Sequence, residues 1–252
     1  MKYNLLYKEM KQNLWKFIIG TILLTITAIS LPLLYDIVID MVGNVSEEHI
    51  SRFLPDMSFI EDHNLYIWSQ WHGKNLYQIG TILAIILGMN AVAGEVNNKT
   101  IGFLLTRPVS RNAVFFIKTM AGAIWLTVSV AFSTMVLILM ASYEFGGIDI
   151  GRLLIATLIT LLGLLVLYSF TLLLSVLIDE PIKVGAVSAL IIFLLSVPGW
   201  FSATREYSIF THLNAFEYFV EGNFPVGVVL IFIIMIFSFL TISVRHFSQK
   251  EF

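Results

Sequence analysis

The sequence predicts an all-α integral membrane protein: six transmembrane helices, an amphipathic helix ahead of them on the membrane surface, and one polar platform between spans two and three. Three observations carry this reading. First, 58% of the 252 residues are hydrophobic and only 13% are charged, where soluble chains average about 25% charged, and the mean hydropathy is +0.86. Second, the apolar residues gather in six runs, near 17–39, 76–93, 114–141, 153–178, 184–200 and 225–244, and a helix needs about 17–25 residues to cross a bilayer. Third, the 15 Lys and Arg residues are unevenly shared between the two sides that these runs define.

Taken in order, residues 2–16 (KYNLLYKEMKQNLWK) place Tyr3, Leu6, Met10 and Leu14 at helical spacing, with Lys8, Glu9, Lys11 and Gln12 mostly elsewhere. That pattern suits a helix lying in the membrane interface, with Trp15 at its end; the alternative is a plain extension of the first span. The run from Phe17 to Ile39 is too long for a signal-peptide core and lacks a small-residue cleavage site, so it reads as a retained span. The whole of 1–252 reads as a single transmembrane domain, with 1–16 as its interfacial helix. Pro32 in the first run and Pro198 at the end of the fifth are expected to kink or stop their helices.

With the N-terminus inside, the inner side holds Lys2, Lys8, Lys11, Lys16, Lys99, Arg107, Arg111, Lys118, Lys183, Arg245 and Lys250. The outer side holds Arg52, Lys74, Arg152 and Arg205. Positive charge accumulates on the cytoplasmic side of membrane proteins, so both termini are expected in the cytoplasm and the chain in the cell membrane. The first outer loop, about 40–75, is acidic and aromatic, and is either an ordered cap or a flexible loop. The second turns tightly through Gly146-Gly147. The third, about 201–224, mixes aromatics with Arg205, Glu206, Glu217 and Glu221, which suggests short helices dipping back into the outer leaflet.

Several chemistries lack their residues. A phosphate loop needs GxxxxGK[ST]; the only Gly-Lys is Gly73-Lys74, followed by Asn75, with Trp68 where the first glycine belongs. No HExxH or GxSxG occurs. Asp36 and Asp40 sit a turn apart at the outer end of the first span, where a solvated helix end explains them better than a catalytic dyad. His49, His63 and His72 with Glu61 and Asp62 follow no compact metal-ligand spacing, and no metal site is assigned. Cysteine is absent, which excludes disulfides and thiolate sites, and no basic excess points to nucleic acid. The small residues Ala121-Gly122-Ala123 and the pair Gly185 and Ala189 suit close helix packing.

The most informative stretch is Gly94–Arg111, GEVNNKTIGFLLTRPVSR. Its charges, Glu95, Lys99, Arg107 and Arg111, exclude it from the hydrocarbon, where each costs about 2.5–3.5 kcal/mol. Its centre, Thr100–Leu105, is apolar enough to dock on something other than water. The expectation is a platform that receives force from a separate protein and passes it to two spans, the alternative being an anchor to lipid headgroups.

Gly94-Glu95, Lys99-Thr100-Ile101, Leu104-Leu105-Thr106-Arg107-Pro108-Val109-Ser110-Arg111 and Lys118 resemble the signature of ABC-2-type transporter permeases, and the layout of the whole chain is similar as well. The resemblance implies a membrane subunit without enzymatic activity, probing the groove of a separate ATPase subunit with a coupling helix. Its implied contact residues are Gly94, Glu95, Lys99, Phe103, Leu104, Arg107, Pro108 and Arg111: Glu95 and Arg107 or Arg111 paired across the interface, Phe103 and Leu104 as apolar anchors. It implies no cofactor in this chain, ATP and Mg being held by the partner, and a second permease, identical or related, beside it in the lipid. The near absence of charge in the spans favours export of a hydrophobic or amphipathic cargo. The competing expectation is a non-transporting assembly factor or sensor whose acidic outer loop binds a ligand.

Overall fold

The computed structural model describes residues 2–43, 62–102, 109–201 and 203–250, and among them every regular element is helical. The elements are α1 (Lys2–Leu33), α2 (Tyr35–Gly43), α3 (His63–Gln70), a π-helical turn (Trp71–Asn75), α4 (Leu76–Met89), α5 (Ala93–Asn97), α6 (Arg111–Phe145), α7 (Ile150–Leu177), α8 (Pro181–Ser196), 3-10 turns at Val197–Trp200 and Arg205–Tyr207, α9 (Ile209–Leu213), α10 (Phe216–Phe219) and α11 (Val226–Gln249).

The helix boundaries follow from local chemistry. Asp62 accepts from the backbone N–H of Asn64 and Leu65 at the start of α3, Ser110 from Ala113 at the start of α6, and Asp149 from Arg152 at the start of α7. Each satisfies a donor that a helix start leaves orphaned. Pro181 opens α8, where its missing N–H costs nothing. Gly146 ends α6 in the left-handed region, φ 70°, which glycine enters without a Cβ penalty.

Among the described residues five helices are long and apolar enough to cross a membrane: Tyr3–Leu33, Arg111–Phe145, Ile150–Leu177, Pro181–Trp200 and Val226–Gln249. The run expected at 76–93 differs from them. Its α-helical part, α4, has 14 residues, about 21 Å at 1.5 Å per residue. It continues backward through the π turn into α3, so the second half of the expected outer loop is helix instead. The polar residues Gln70, His72, Lys74 and Asn75 break the apolar run there, which is why hydropathy placed the boundary too late.

A second difference lies at the N-terminus. There is no separate interfacial helix: α1 is one 32-residue helix from Lys2. The side chains it buries include Leu5, Glu9, Lys16, Thr21, Leu24 and Ala28, whereas Tyr3 and Leu14 of the expected apolar stripe are exposed. A face containing Glu9 and Lys16 scores as polar in any hydrophobicity pattern, although it is the packed one. Pro32 acts as expected, since α1 ends one residue later and the chain resumes as α2 after Leu34.

Neighbouring helices are keyed together in parallel pairs. Between α1 and α6, Glu9 meets Lys118, Phe17 stacks on Trp125 at 4.0 Å, and Thr21 bonds Ser129 at 2.8 Å. The register advances equally on both helices, so they run side by side in one direction. Between α4 and α7, Gly80 faces Leu164 and Gly88 faces Thr171, so close that a Cβ at Gly80 would meet the Leu164 side chain at 2.6 Å. Gly122 likewise gives room to Tyr168, whose hydroxyl donates to the Thr119 carbonyl at 3.0 Å. The small residue at 122 therefore serves packing within the bundle.

The two ends of the bundle are distinct. At one, Lys8 reaches Glu95, Arg111 reaches the carbonyls of Ser248 and Lys250, and Lys250 reaches Asp179, so α1 begins and α11 ends on the same face. At the other, the Asn64 side chain accepts from the Asp149 N–H, and Trp68 donates to the Asn214 carbonyl. The short helices of 205–219 turn back into this far end: Leu213 and Phe219 are buried, Leu213 against Gly163 of α7 and Phe219 stacked on Trp68.

Candidate functional site: a buried ion cluster beneath the 94–111 platform

The platform leaves α4 through an elbow pinned from the side. Ser175 of α7 donates to the Met89 carbonyl at 3.1 Å and accepts from the backbone N–H of Val92 and Ala93 at 3.1 and 3.0 Å. Ser175 is fully buried. One hydroxyl thus satisfies the last turn of α4 and the first turn of α5, groups that would otherwise be orphaned in a buried corner.

Glu95 follows, and it faces inward. The expectation from sequence had it reaching outward to a partner; instead it is 4% exposed. Its Oε1 lies 3.0 Å from Lys118 Nζ and 3.1 Å from Lys8 Nζ, and its Oε2 accepts from the Thr100 hydroxyl. Lys118 also bonds Glu9 Oε1 at 2.9 Å, with only 2% of its side chain exposed. Two carboxylates and two ammonium groups therefore balance. Burial pushes the Glu95 carboxyl upward in pKa, but Lys118 foremost, then the bonds from Thr100, Lys118 and Lys8, pull it down to about 2.

The reason for the cluster is positional. Lys118 stands seven residues inside α6, about 10 Å along its axis from Arg111. An ammonium group there must be paired or driven out, and Glu9 and Glu95 supply the pairing from two different elements. Lys16, also buried, bonds Asn13 Oδ1 at 2.9 Å. A polar cavity of about 270 Å³ lies alongside, lined by Glu9, Asn13, Lys16, Asn90, Asn98 and Lys118 among others.

The outward face of the platform is made of Asn97, Asn98, Lys99, Thr100 and Gly102, all exposed. Lys99 takes a left-handed backbone, φ 56°, where the chain leaves α5. Gly94 is half-buried beside Asn90. Phe103, Leu104, Arg107 and Pro108, four of the eight contact residues expected from sequence, lie outside the described residues. Arg111 starts α6 and donates to the carbonyls of Ser248 and Lys250 at 3.3 and 2.8 Å, so it ties the platform's far end to α11.

The described parts of the platform are thus fixed to α1 by Lys8, to α6 by Lys118, to α7 by Ser175 and to α11 by Arg111. Sequence reading missed Glu9 and Ser175. The signal for Glu9 was available: a Lys two turns inside an apolar span demands an acid at its level. Ser175 carried none, since a serine in an apolar helix commonly bonds its own preceding turn. Among the described residues no cluster of His, Asp and Glu suited to a metal ion occurs. His63 stacks on Phe145 at 4.3 Å, His72 bonds Thr157 at 3.0 Å, and Asp62 is a helix cap.

A search among curated proteins found no match. A family model described as ABC-2 family transporter protein matches residues 3–252. That match spans nearly the whole chain and includes both the platform and the helices it is tied to, so this multi-pass membrane protein belongs to the ABC-2 transporter family.

Proposed function

We propose that the chain is the permease subunit of an exporter of hydrophobic or amphipathic molecules, driven by ATP hydrolysis on a separate nucleotide-binding subunit that docks on the 94–111 platform. The observation that carries the reading is the fastening of that platform to α1, α6, α7 and α11. A transporter needs two motor states to be felt differently by its membrane helices, and a displacement here passes to four of them as rigid bodies. The conformation of Lys99 adds support. A non-glycine residue at φ 56° costs of order 1–3 kcal/mol, and an exposed Lys kept there suits a contact.

Six crossings fit the layout. An odd number would separate the start of α1 from the end of α11, whereas both lie at the platform end. The sixth crossing is the continuous rod α3, π turn and α4. It runs from the Asn64–Asp149 contact at the far end to the Ser175 contact at the platform end. The Lys and Arg distribution supports a cytoplasmic platform, and in this reading the chain lies in the cell membrane. A second permease copy or a related permease completes the pathway. Glu95 acts from beneath the platform, while Lys99, Phe103, Leu104 and Arg107 make the contact.

The test is a photo-crosslinking residue placed at Lys99 or Phe103 in native membranes. Adducts with an ATP-binding-cassette ATPase are expected, and Arg107→Glu should weaken them and reduce transport. Adducts with lipid alone would make the platform a headgroup anchor and end the coupling account.

A further inference from the structure

A large cavity lies away from the platform, at the opposite end of the bundle. It encloses about 610 Å³ between α4, α8 and the short helices of 205–214, within the range of about 300–1,000 Å³ common for small-molecule sites. Along the π turn and α4 it extends from Gly73 to Ile85, a helical rise of about 18 Å. That is more than half of a hydrocarbon core of about 30 Å.

Its two ends differ in chemistry. Toward the platform the wall is Ile82, Ile85, Ala189 and Ile192. Thr81 also lines it, but its hydroxyl is spent on the Tyr77 carbonyl at 2.6 Å. Toward the far end the wall is Gln78, Ser208, Thr211, Asn214, Trp200 and Arg205. Arg205 is the one charged residue among the described lining side chains. Its guanidinium lies 5.7 Å from the Phe216 ring centre and is exposed, and no carboxylate among the described residues pairs with it. The neighbouring Glu206 does not line the cavity. Ile82 and Phe193, also in the wall, are more than half exposed, so the cavity opens sideways to the surroundings of the bundle.

A cation at the polar end of a slot that is otherwise uncharged and has an apolar opposite end selects one shape of guest. We propose that this cavity binds an anionic amphiphile, its acidic headgroup at Arg205 and its alkyl chain laid along Ile82, Ile85 and Ile192. This deepens the proposed transport function by naming a cargo class. It takes the membrane orientation from that function, with the headgroup at the outer surface and the chain toward the bilayer centre. Buried apolar surface supplies the affinity for the chain, and a charge-assisted bond from the guanidinium supplies the choice of headgroup.

The experiment uses the full-length protein in phosphatidylcholine nanodiscs, without an ATPase, so its failure leaves the coupling account untouched. The probe is dodecyl phosphate carrying a photoreactive diazirine at the end of its chain. Irradiation is expected to label the segments around Ile82–Ile85 and Ala189–Phe193. Unlabelled dodecyl phosphate should compete; inorganic phosphate and dodecyltrimethylammonium should not. Arg205→Gln should lower labelling about tenfold and Arg205→Lys should keep most of it. Both variants should keep the parent's thermal unfolding, because the side chain is exposed. Labelling spread evenly over all apolar helices, equal competition by the cationic amphiphile, or undiminished labelling in Arg205→Gln would each overturn the proposal. So would an absence of adducts because a second copy of the chain covers the cavity.

Discussion

Replacing Lys118 with Met tests the ion cluster most directly. The substitution keeps an unbranched apolar stem and removes the charged ammonium with the hydrogen bonds it donates. Lys118 Nζ lies 2.9 Å from Glu9 and 3.0 Å from Glu95, and both carboxylates are buried. Breaking a buried pair by deleting one partner costs about 3–5 kcal/mol, because the remaining charge has lost its compensation. Lys8 still reaches Glu95 at 3.1 Å but lies 3.8 Å from Glu9, so it offsets part of the loss at one carboxylate and little at the other. The expected destabilisation is therefore about 3 kcal/mol, at the low end of that range.

The assay is chemical or thermal unfolding of the purified protein in detergent, compared with the triple variant Glu9→Gln, Glu95→Gln, Lys118→Met. Removing all three charges together removes the uncompensated ions, and buried pairs replaced wholesale by neutral groups often lose little stability. Stability is expected to fall steeply in Lys118→Met and to recover in the triple variant, while platform-dependent transport stays impaired in both. A Lys118→Met loss below about 1 kcal/mol, in the range of solvent-exposed pairs, would show that water screens the cluster. A triple variant no better than the single one would show that shape, and not charge, holds it together.

Other consequences follow from the same geometry. Because the Glu95 carboxyl is held below its ordinary 4.5, its stabilising contribution is complete above that value and is lost as pH falls toward about 2. Unfolding measured from pH 7 to pH 3 should therefore show an acid-side decline that is shallower in Glu95→Gln. Ser175→Ala leaves the Val92 and Ala93 N–H groups without their buried acceptor and should cost about 1–3 kcal/mol. Hydrogen exchange should quicken at the elbow 89–95 and not at the far end. Gly163→Leu should cost about 1–3 kcal/mol by overpacking, since Leu213 occupies the space beside Gly163, and tryptophan emission near Trp68 should report loosening of the short helices. An unchanged unfolding midpoint in that variant would mean these helices are not docked on α7.

What the sequence made legible was whatever a long run of apolar side chains or a local turn signal encodes. Five of the expected spans appear as long apolar helices, the Gly146-Gly147 turn is where glycine's left-handed freedom puts it, and Pro32 stops α1. The remainder depends on contacts between residues far apart in the chain. Glu9 and Lys118 are 109 positions apart and Ser175 is 83 from Val92, and no periodicity within one helix carries such pairings. The same limit explains both misplaced boundaries. Hydropathy treats Glu9 and His72 as solvent-seeking, yet each is buried because another helix supplies its partner: Lys118 for one and Thr157 for the other. A polar residue on an apolar helix therefore marks a helix end only when no neighbour can satisfy it. In this chain the two polar stretches that looked like boundaries, 2–16 and 70–75, are where α1 and the α3–α4 rod are joined to the rest of the bundle. That places the buried ion pairs at the platform end and neutral polar contacts at the other, while the helices between them pack through glycines, aliphatic and aromatic side chains and single hydroxyl bonds such as Thr21–Ser129, so a change at the platform meets its first resistance at the ion cluster.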